Sequence, residues 1–548
     1  MIEKTKDGYK INGVELIYSA GSLIPFFKLK SKNKKIQKEN FEDFVGLFEY
    51  MKKHLKGYFK MSILYNAYQE KEDGILLSKN NKLNHDVILA DSGGLQQARR
   101  GEKFSDEVKK AIYENQALYS DIAMNFDEMP FLPIEANKKA GINLMSTRCY
   151  IREMIEPTAK LSAEEVRKQL EVFSQTEGAH SKVLPVMHGF RSNPEYFKGM
   201  NDNTFVDYAE TLFNNIDIDS KFLGGLSIAS ITVSADNRIA LLKGLQYIPS
   251  LLWSKRVPDK AVEHVHLLGL ASPQRLMSVL SMLKAGLIDK RVKRISFDST
   301  AITKAFIVGR VHKNRDEFKN PRHYRPELTL KDYKSPEAKN VRQFYQNVYE
   351  YFKNYDNFMF SSWEDLADYS LNNGSKKTAT EQIKENGGEG SLWHRKYLQH
   401  IRVCSLYLTW CYLEQMEDYI DGIRKPEDYP YGANLVSIYH TIENDITDEQ
   451  TLFEAVEMHY KKVKENMDFA VDTIQQYKDI LSKIEHEDKF GVQETNILFE
   501  DVEKLHESHE DHKKFAQQKI DNHNFMRRSK KKASDEFKIA GEITKSIF

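Results

Sequence analysis

Short apolar, β-prone runs alternate with amphipathic helical stretches through residues 1–312 of this chain, and a polar residue or a glycine follows each run. The runs are Val87 to Ala90, Ile122 to Phe126, Val183 to Met187, Lys221 to Leu223, Val265 to Leu268 and Arg294 to Phe297. Helical patterns occupy intervals between them at 105–119, 162–176 and 273–287. Strand, helix, strand in regular alternation means parallel strands with crossover helices, because a parallel pair cannot be joined by a tight turn. The residues that follow the runs are Asp91, Asp127, His188, Gly225, Gly269 and Asp298, at intervals of 36, 61, 37, 44 and 29. Most intervals fit one strand–helix unit, and the longest has room for an insertion or a whole extra unit. Two earlier runs, Glu15 to Tyr18 and Ile63 to Tyr65, bring six strands to eight. The expected fold is α/β, a (β/α)8 TIM barrel, in which polar and glycine residues past the strand C-termini line the active face. An open doubly wound sheet, the competing architecture, would place its functional groups similarly.

From residue 313 onward the pattern changes to long heptad-like stretches, at 343–352, 397–418, 452–486 and 492–522, with a polar, glycine-containing loop expected at 372–391. The expected division is a barrel over 1–312 and a C-terminal α-helical domain over 313–548. A basic run, Arg527 to Lys532, lies in the tail.

Charge narrows the functional classes. Lys and Arg number 80, Asp and Glu also 80, so no global basic coat exists and any polynucleotide contact must use local patches. Three cysteines in 548 residues exclude a disulfide scaffold. No apolar run reaches the ~18–20 residues a bilayer span needs. The charged N-terminal stretch Met1 to Lys10 lacks a signal-peptide core. A cytoplasmic location is expected.

Asp91, Asp127 and Asp298 would point into one mouth. Carboxylates flanking a glycosidic bond are the standard apparatus for breaking it, one as nucleophile at the anomeric carbon and another as acid and base. Strand-end aspartates also bind metals or cap structure, and these readings stay open on the carboxylates alone. In Asp91-Ser92-Gly93-Gly94, the glycines let a planar ligand approach the backbone. In Phe126-Asp127-Glu128, an ionised acid can accept from the paired N–H groups of a guanine edge.

Taken together these segments resemble the tRNA-guanine transglycosylase superfamily. Asp91 to Gln96 is similar to its D-S-G-G-F-Q motif, and Phe126-Asp127-Glu128 with Pro130 to its F-D-E-C-x-P segment. Gly224-Gly225-Leu226 is similar to its G-G-L loop, Leu267 to Pro273 to its L-x-G-x-G-x-P turn, Ser296 to Ser299 to its F-D-C motif, and Ile63 to Tyr68 more faintly to its I-L-x-N-T-Y. The motifs keep the family's order over residues 13–312. The resemblance implies a (β/α)8 enzyme that exchanges guanine in a polynucleotide for a 7-deazaguanine through a covalent glycosyl-enzyme intermediate. It implies Asp298 as nucleophile at C1′ and Asp91 as acid and base at N9. Asp127 would read the N1–H and 2-amino edge, the Gly225 N–H would face O6, and Leu226 would line the pocket. Ser92, Gly93, His188, Gly189 and Gly224 complete the implied substrate-binding set, His188 as a donor to O6.

The departures are specific. Val186-Met187-His188-Gly189 stands where the family has V-Q-G-G, and Leu95 replaces its stacking phenylalanine. The cysteines and histidine of its zinc site have no counterpart after Asp298, so no metal or other cofactor is expected. In the tRNA enzymes that metal braces the segment that holds the anticodon loop. The DNA-modifying branch of bacteria and phages, whose C-terminal regions differ, is the better match. The expected partners are therefore DNA, or alternatively tRNA, with guanine and a preQ0-like 7-deazaguanine. A non-catalytic binding subunit of such an enzyme is a further alternative. No membrane partner is expected, oligomeric state stays open with a homodimer as one option, and a phage-encoded protein would work in the host cytoplasm. The nucleic-acid contacts expected are Arg99 and Arg100 after the Asp91 loop, and Lys304, Arg310, Lys313 and Arg315 after Asp298, where basic residues interleave with aromatics.

Overall fold

The structure is a computed structural model. It describes residues 2–6, 8–19, 33–68, 87–93, 104–127, 155–189, 204–229, 254–270, 273–284, 288–298, 310–312, 327–329, 332–336, 338–370 and 379–423, with a few single positions between. All of these belong to one compact unit, Met1–Ala235 with Leu241–Val456.

A hairpin of β1 (Ile2–Thr5) and β2 (Gly8–Ile11) leads antiparallel into β3 (Val14–Ser19). From β3 the sheet continues with parallel strands only. These are β4 (Phe59–Asn66), β5 (Val87–Asp91), β6 (Ile122–Met124), β7 (Lys182–Leu184), β8 (Val186–Met187), β9 (Leu226–Ile228), β10 (His264–Leu267) and β11 (Arg294–Asp298). Their spatial order is β7-β6-β5-β4-β3-β11-β10-β9-β8. The two ends of that order, β7 and β8, are separated in sequence by Pro185 alone, which has no N–H to offer a ladder. Across the remaining gap, Val183 N–H donates to the Phe222 carbonyl at 2.7 Å and Gly224 N–H to the Val183 carbonyl at 3.0 Å. The result is a nearly closed, barrel-like parallel sheet.

Described helices lie between several consecutive strands. They are α1 (Lys34–Lys52) after β3, α2 (Asp106–Tyr119) after β5, α3 (Ile155–Gln175) after β6, α4 (Thr204–Phe213) after β8, α5 (Asp259–Val262) before β10 and α6 (Pro273–Lys284) after β10. Ser105 caps α2 by accepting the Val108 N–H, with Asp106 and Glu107 in the first turn, where the helix dipole favours acids. Helix α3 begins seven residues before the expected Ser162, because Pro157 sits in its first turn, where no N–H is needed. The strand expected at 221–223 is displaced to Leu226–Ile228, and Leu223 contributes only an isolated bridge to Val183. Gly225 is therefore a residue entering a strand rather than one following it.

Alternation divides each strand between two faces. Leu89, Ile122, Met124, Leu184, Val186 and Ala229 form one apolar cluster inside the sheet, with Leu64, Val87 and Leu268 against it. His264 and His266 share the Leu268 face, and Ser296 and Asp298 share a face of β11 with Arg294. At the N-terminal ends of the strands, Glu15 pairs with Lys60 (2.6 Å) and with Arg294 (3.0 Å). The interior is thus apolar along β5 to β8 and polar along β10 and β11.

Beyond the barrel lie a short antiparallel pair, β12 (Arg310–His312) with β13 (Glu327–Thr329), and helices α7 (Lys339–Phe352), α8 (Trp363–Ala367), α9 (Ala379–Glu385) and α10 (Leu392–Ile420). Helix α9 falls within the loop expected at 372–391. Helix α10 packs against α1, α6 and α7. The Glu417 carboxylate near its end accepts the backbone N–H groups of Lys56, Gly57 and Tyr58 at 2.8, 2.9 and 3.2 Å. Lys56 Nζ reaches Asp418 and Asp421, and Lys284 Nζ donates to the Tyr419 carbonyl. Trp393 stacks on Tyr397, and Tyr407 meets Trp410, as aromatic packing of this helical part. The expected helices at 452–486 and 492–522 and the basic tail run lie outside the described residues. Among those described, no helix is long and apolar enough to cross a membrane.

Candidate active site

Asp91 is the last residue of β5 and Asp298 the last of β11, while Asp127 follows β6 by three residues. All three thus leave the C-terminal ends of parallel strands. Their mutual influence is explicit at Asp91. Burial first, then the charge of Asp127 and more weakly that of Asp298, push its carboxyl up to about 6, against the N–H groups of Gly93 and Ser92, which pull it down. A carboxyl held near neutrality can both give and take a proton at physiological pH.

The backbone around Asp91 is fixed from two sides. Asn66, at the end of β4, donates from Nδ2 to Asp91 Oδ2 at 3.2 Å and accepts the Tyr68 N–H at 3.1 Å. Gly93 has φ +88°, and a Cβ there would come 3.1 Å from Tyr68 Cβ and 3.3 Å from Asn66 Oδ1. Glycine meets both demands. Behind the strands, the buried Gln116 of α2 donates to the carbonyls of Ala90 (3.2 Å) and Met124 (2.9 Å), tying together the strand ends that carry Asp91 and Asp127. Asn125 adds a tie to β8 by accepting the Val186 N–H. Tyr68, Phe104, Phe126 and Tyr113 form a continuous aromatic run beside these turns.

Asp127 meets His188 rather than standing apart from it. His188 Nε2 lies 2.6 Å from Asp127 Oδ2, and the imidazole is only 1% exposed, edge-on to Tyr208 of α4. Among the described residues, no group donates to Asp127 Oδ1. Gly189 follows, and its Cβ would fall 2.3 Å from the Phe205 ring, so this turn tolerates no side chain.

Asp298 accepts the Gly269 N–H at Oδ1, 2.7 Å. His266 Nε2 lies 3.5 Å from the same oxygen. Among the described residues nothing donates to Oδ2, and the side chain retains 13% exposure. Deeper in the barrel, Ser296 Oγ lies 2.8 Å from His266 Nδ1 and 2.9 Å from His264 Nε2. Burial, then His266 and Arg294, push the His264 imidazole down to about 3, so it is neutral.

Ser92 is buried beside Asp91. Gly224, Gly225 and the buried Leu226 lie at the entrance to β9. A Cβ on Gly225 would sit 2.0 Å from the His264 carbonyl oxygen, so the close approach this glycine serves is that of one strand to its neighbour. Arg310 is in β12, while Arg99, Arg100, Lys304, Lys313 and Arg315 lie outside the described residues. Asn66, His264, His266 and Ser296 were not among the expected site residues. The signal for the last three was the alternation His264-x-His266 and Ser296-x-Asp298, which puts them on the nucleophile candidate's face. Among the described residues, no group of three or more His, Cys, Asp or Glu is arranged to hold a metal ion. Cys404 and Cys411 are buried in α10. No protein-family model and no curated protein sequence matches the chain.

Proposed function

We propose that this protein is a DNA-guanine transglycosylase, which replaces guanine in DNA by a 7-deazaguanine. The observation that carries this reading is the convergence of Asp91, Asp127 and Asp298 at strand C-terminal ends, with the Asp91 carboxyl pushed up to about 6 by burial first and then by the charges of the other two. In this reading the sheet is a (β/α)8 barrel in which β7 and β8 are one strand broken at Pro185, and α10 packs against α1 and α6 in the place of a last barrel helix.

The chemistry uses the two carboxylate oxygens to which no described residue donates, Asp298 Oδ2 and Asp127 Oδ1. Asp298 Oδ2 attacks C1′ of the target nucleoside. The C1′–N9 bond breaks, its electron pair leaves with guanine, and protonated Asp91 delivers a proton to N9. A covalent sugar ester remains on Asp298. The incoming 7-deazaguanine loses its N9 proton to Asp91 and attacks C1′, and Asp298 departs as carboxylate. Two displacements retain configuration. Asp127 Oδ1 accepts from the N1–H and 2-amino edge, while His188 holds Oδ2. The target base must leave its stack, at a cost of a few kcal/mol in a duplex.

The test incubates the full chain with radiolabelled guanine and either duplex DNA or tRNA. Label entering DNA, with a denaturant-stable protein–DNA adduct that Asp298→Asn abolishes, supports the reading. Label entering tRNA alone moves the substrate to RNA. No label in either polymer and no adduct refutes the chemistry.

A further inference from the structure

A line of buried polar side chains runs through the barrel interior from its ion-paired floor to Asp298, although the opposite half of the same interior is apolar. Two hydrogen-bond contacts hold the line together, His264 Nε2 to Ser296 Oγ and Ser296 Oγ to His266 Nδ1. His266 is fully enclosed, and its Nε2 makes no hydrogen bond. The 3.5 Å to Asp298 Oδ1 is too long to count as one. A buried ring nitrogen aimed at a carboxylate and left just short of it calls for a reason.

A hydroxyl has one proton, so Ser296 donates to one imidazole and accepts from the other. If it accepted from His266 Nδ1–H, a singly protonated His266 ring would turn a bare lone pair toward the oxygens of Asp298. If it donates to His266 Nδ1 instead, the proton of His266 is on Nε2 and faces Asp298. His264 must then donate its own Nε2–H to Ser296, which its neutral single-proton state allows. The position of Asp298 Oδ1 thus favours one tautomer at each ring.

We propose that His266 is a positioning residue for Asp298: the chain His264–Ser296–His266 presents an Nε2–H to Oδ1, and together with the Gly269 N–H it turns the carboxylate so that Oδ2 faces the nucleoside. This rests on the transglycosylase reading for what Oδ2 attacks, but the arrangement itself does not. Two donors on one oxygen localise charge there and stabilise Asp298 as the leaving group when the ester is resolved. The contact closes as the nucleoside seats, in the way catalytic hydrogen bonds tighten in the reacting complex.

Two measurements test it. In the full-length protein labelled with 15N-histidine, the resonances absent from His266→Gln identify the ring, and they are expected at shifts of the Nε2–H tautomer at neutral pH. An Nδ1–H tautomer overturns the proposal whether or not the protein has exchange activity. In the activity arm, His266→Leu is expected to slow adduct formation about a hundredfold, with KM for guanine unchanged, as for a displaced reacting group. His266→Gln, whose amide can donate from a similar place, is expected to recover at least a tenth of the wild-type rate. Adduct formation at the wild-type rate in a folded His266→Leu protein overturns it. Should wild type form no adduct with any polymer, the transglycosylase reading fails, and the tautomer still decides the arrangement.

Discussion

His188 Nε2 is held 2.6 Å from Asp127 Oδ2, and this contact engages the ring nitrogen that faces the acid. Sequence suggested His188 as a donor to a base carbonyl. In the transglycosylase reading, its contact makes it the holder of the acid proposed to read the base. His188→Ala should therefore weaken guanine recognition, raising KM about 10- to 100-fold with a smaller effect on kcat, because losing a hydrogen bond to a charged group costs about 1.5–3 kcal/mol. Steady-state exchange kinetics with varied guanine measure the split. A change confined to kcat would contradict the assignment.

Asp91 links function to stability with a definite sign. Its folded-state value of about 6 lies above the ordinary 3.8, so the fold disfavours the ionised form. Between those two values the folded chain binds more protons than the unfolded one, and stability declines as pH rises through this window. Asp91→Asn removes the penalty. The variant should be more stable than wild type at pH 7 by about 1–3 kcal/mol, with the gap shrinking as pH falls toward 4, while exchange is lost. Urea unfolding at several pH values checks this, and an Asn variant less stable at pH 7 would count against the burial and neighbouring charges that raise the Asp91 carboxyl.

Gly225 faces the His264 carbonyl oxygen, which a Cβ would approach to 2.0 Å. Both partners are backbone, so neither can swing away. Gly225→Ala should destabilise the protein by about 3 kcal/mol or more, at the upper end of overpacking effects. The denaturant midpoint reads it directly.

Glu417 satisfies three consecutive backbone N–H groups at 56–58. Glu417→Ala leaves them without that acceptor at a largely enclosed junction, and about 2–4 kcal/mol should be lost. Thermal unfolding would show the drop, with no effect expected on adduct formation at temperatures where the variant is folded.

Most strands were readable because their apolar runs are compact and bounded. Glu15 to Tyr18 extends by one residue at each end, and Val87 to Ala90 and Arg294 to Phe297 by one residue at the C-terminal end. Residues 221–228 were misread, because the glycine pair looks like a turn when taken locally and its real constraint, the His264 carbonyl, is 39 positions away in sequence. Asp91 and Asp298 were visible as strand-final acids. His266 and Ser296 were missed because polar residues inside short strands look like solvent-facing alternation until the inward face is known. The His188–Asp127 pair joins residues 61 apart, and no local pattern announces it.

The seating of α10 against both α1 and α6 decides how this protein can be cut. A fragment stopped at residue 312 would strip a 29-residue cover from two barrel helices, bare their apolar flanks to water and leave Lys56, Gly57 and Tyr58 without their carboxylate. Such a truncation should precipitate rather than yield a minimal folded protein, so any dissection of the gene has to carry the chain through Ile423.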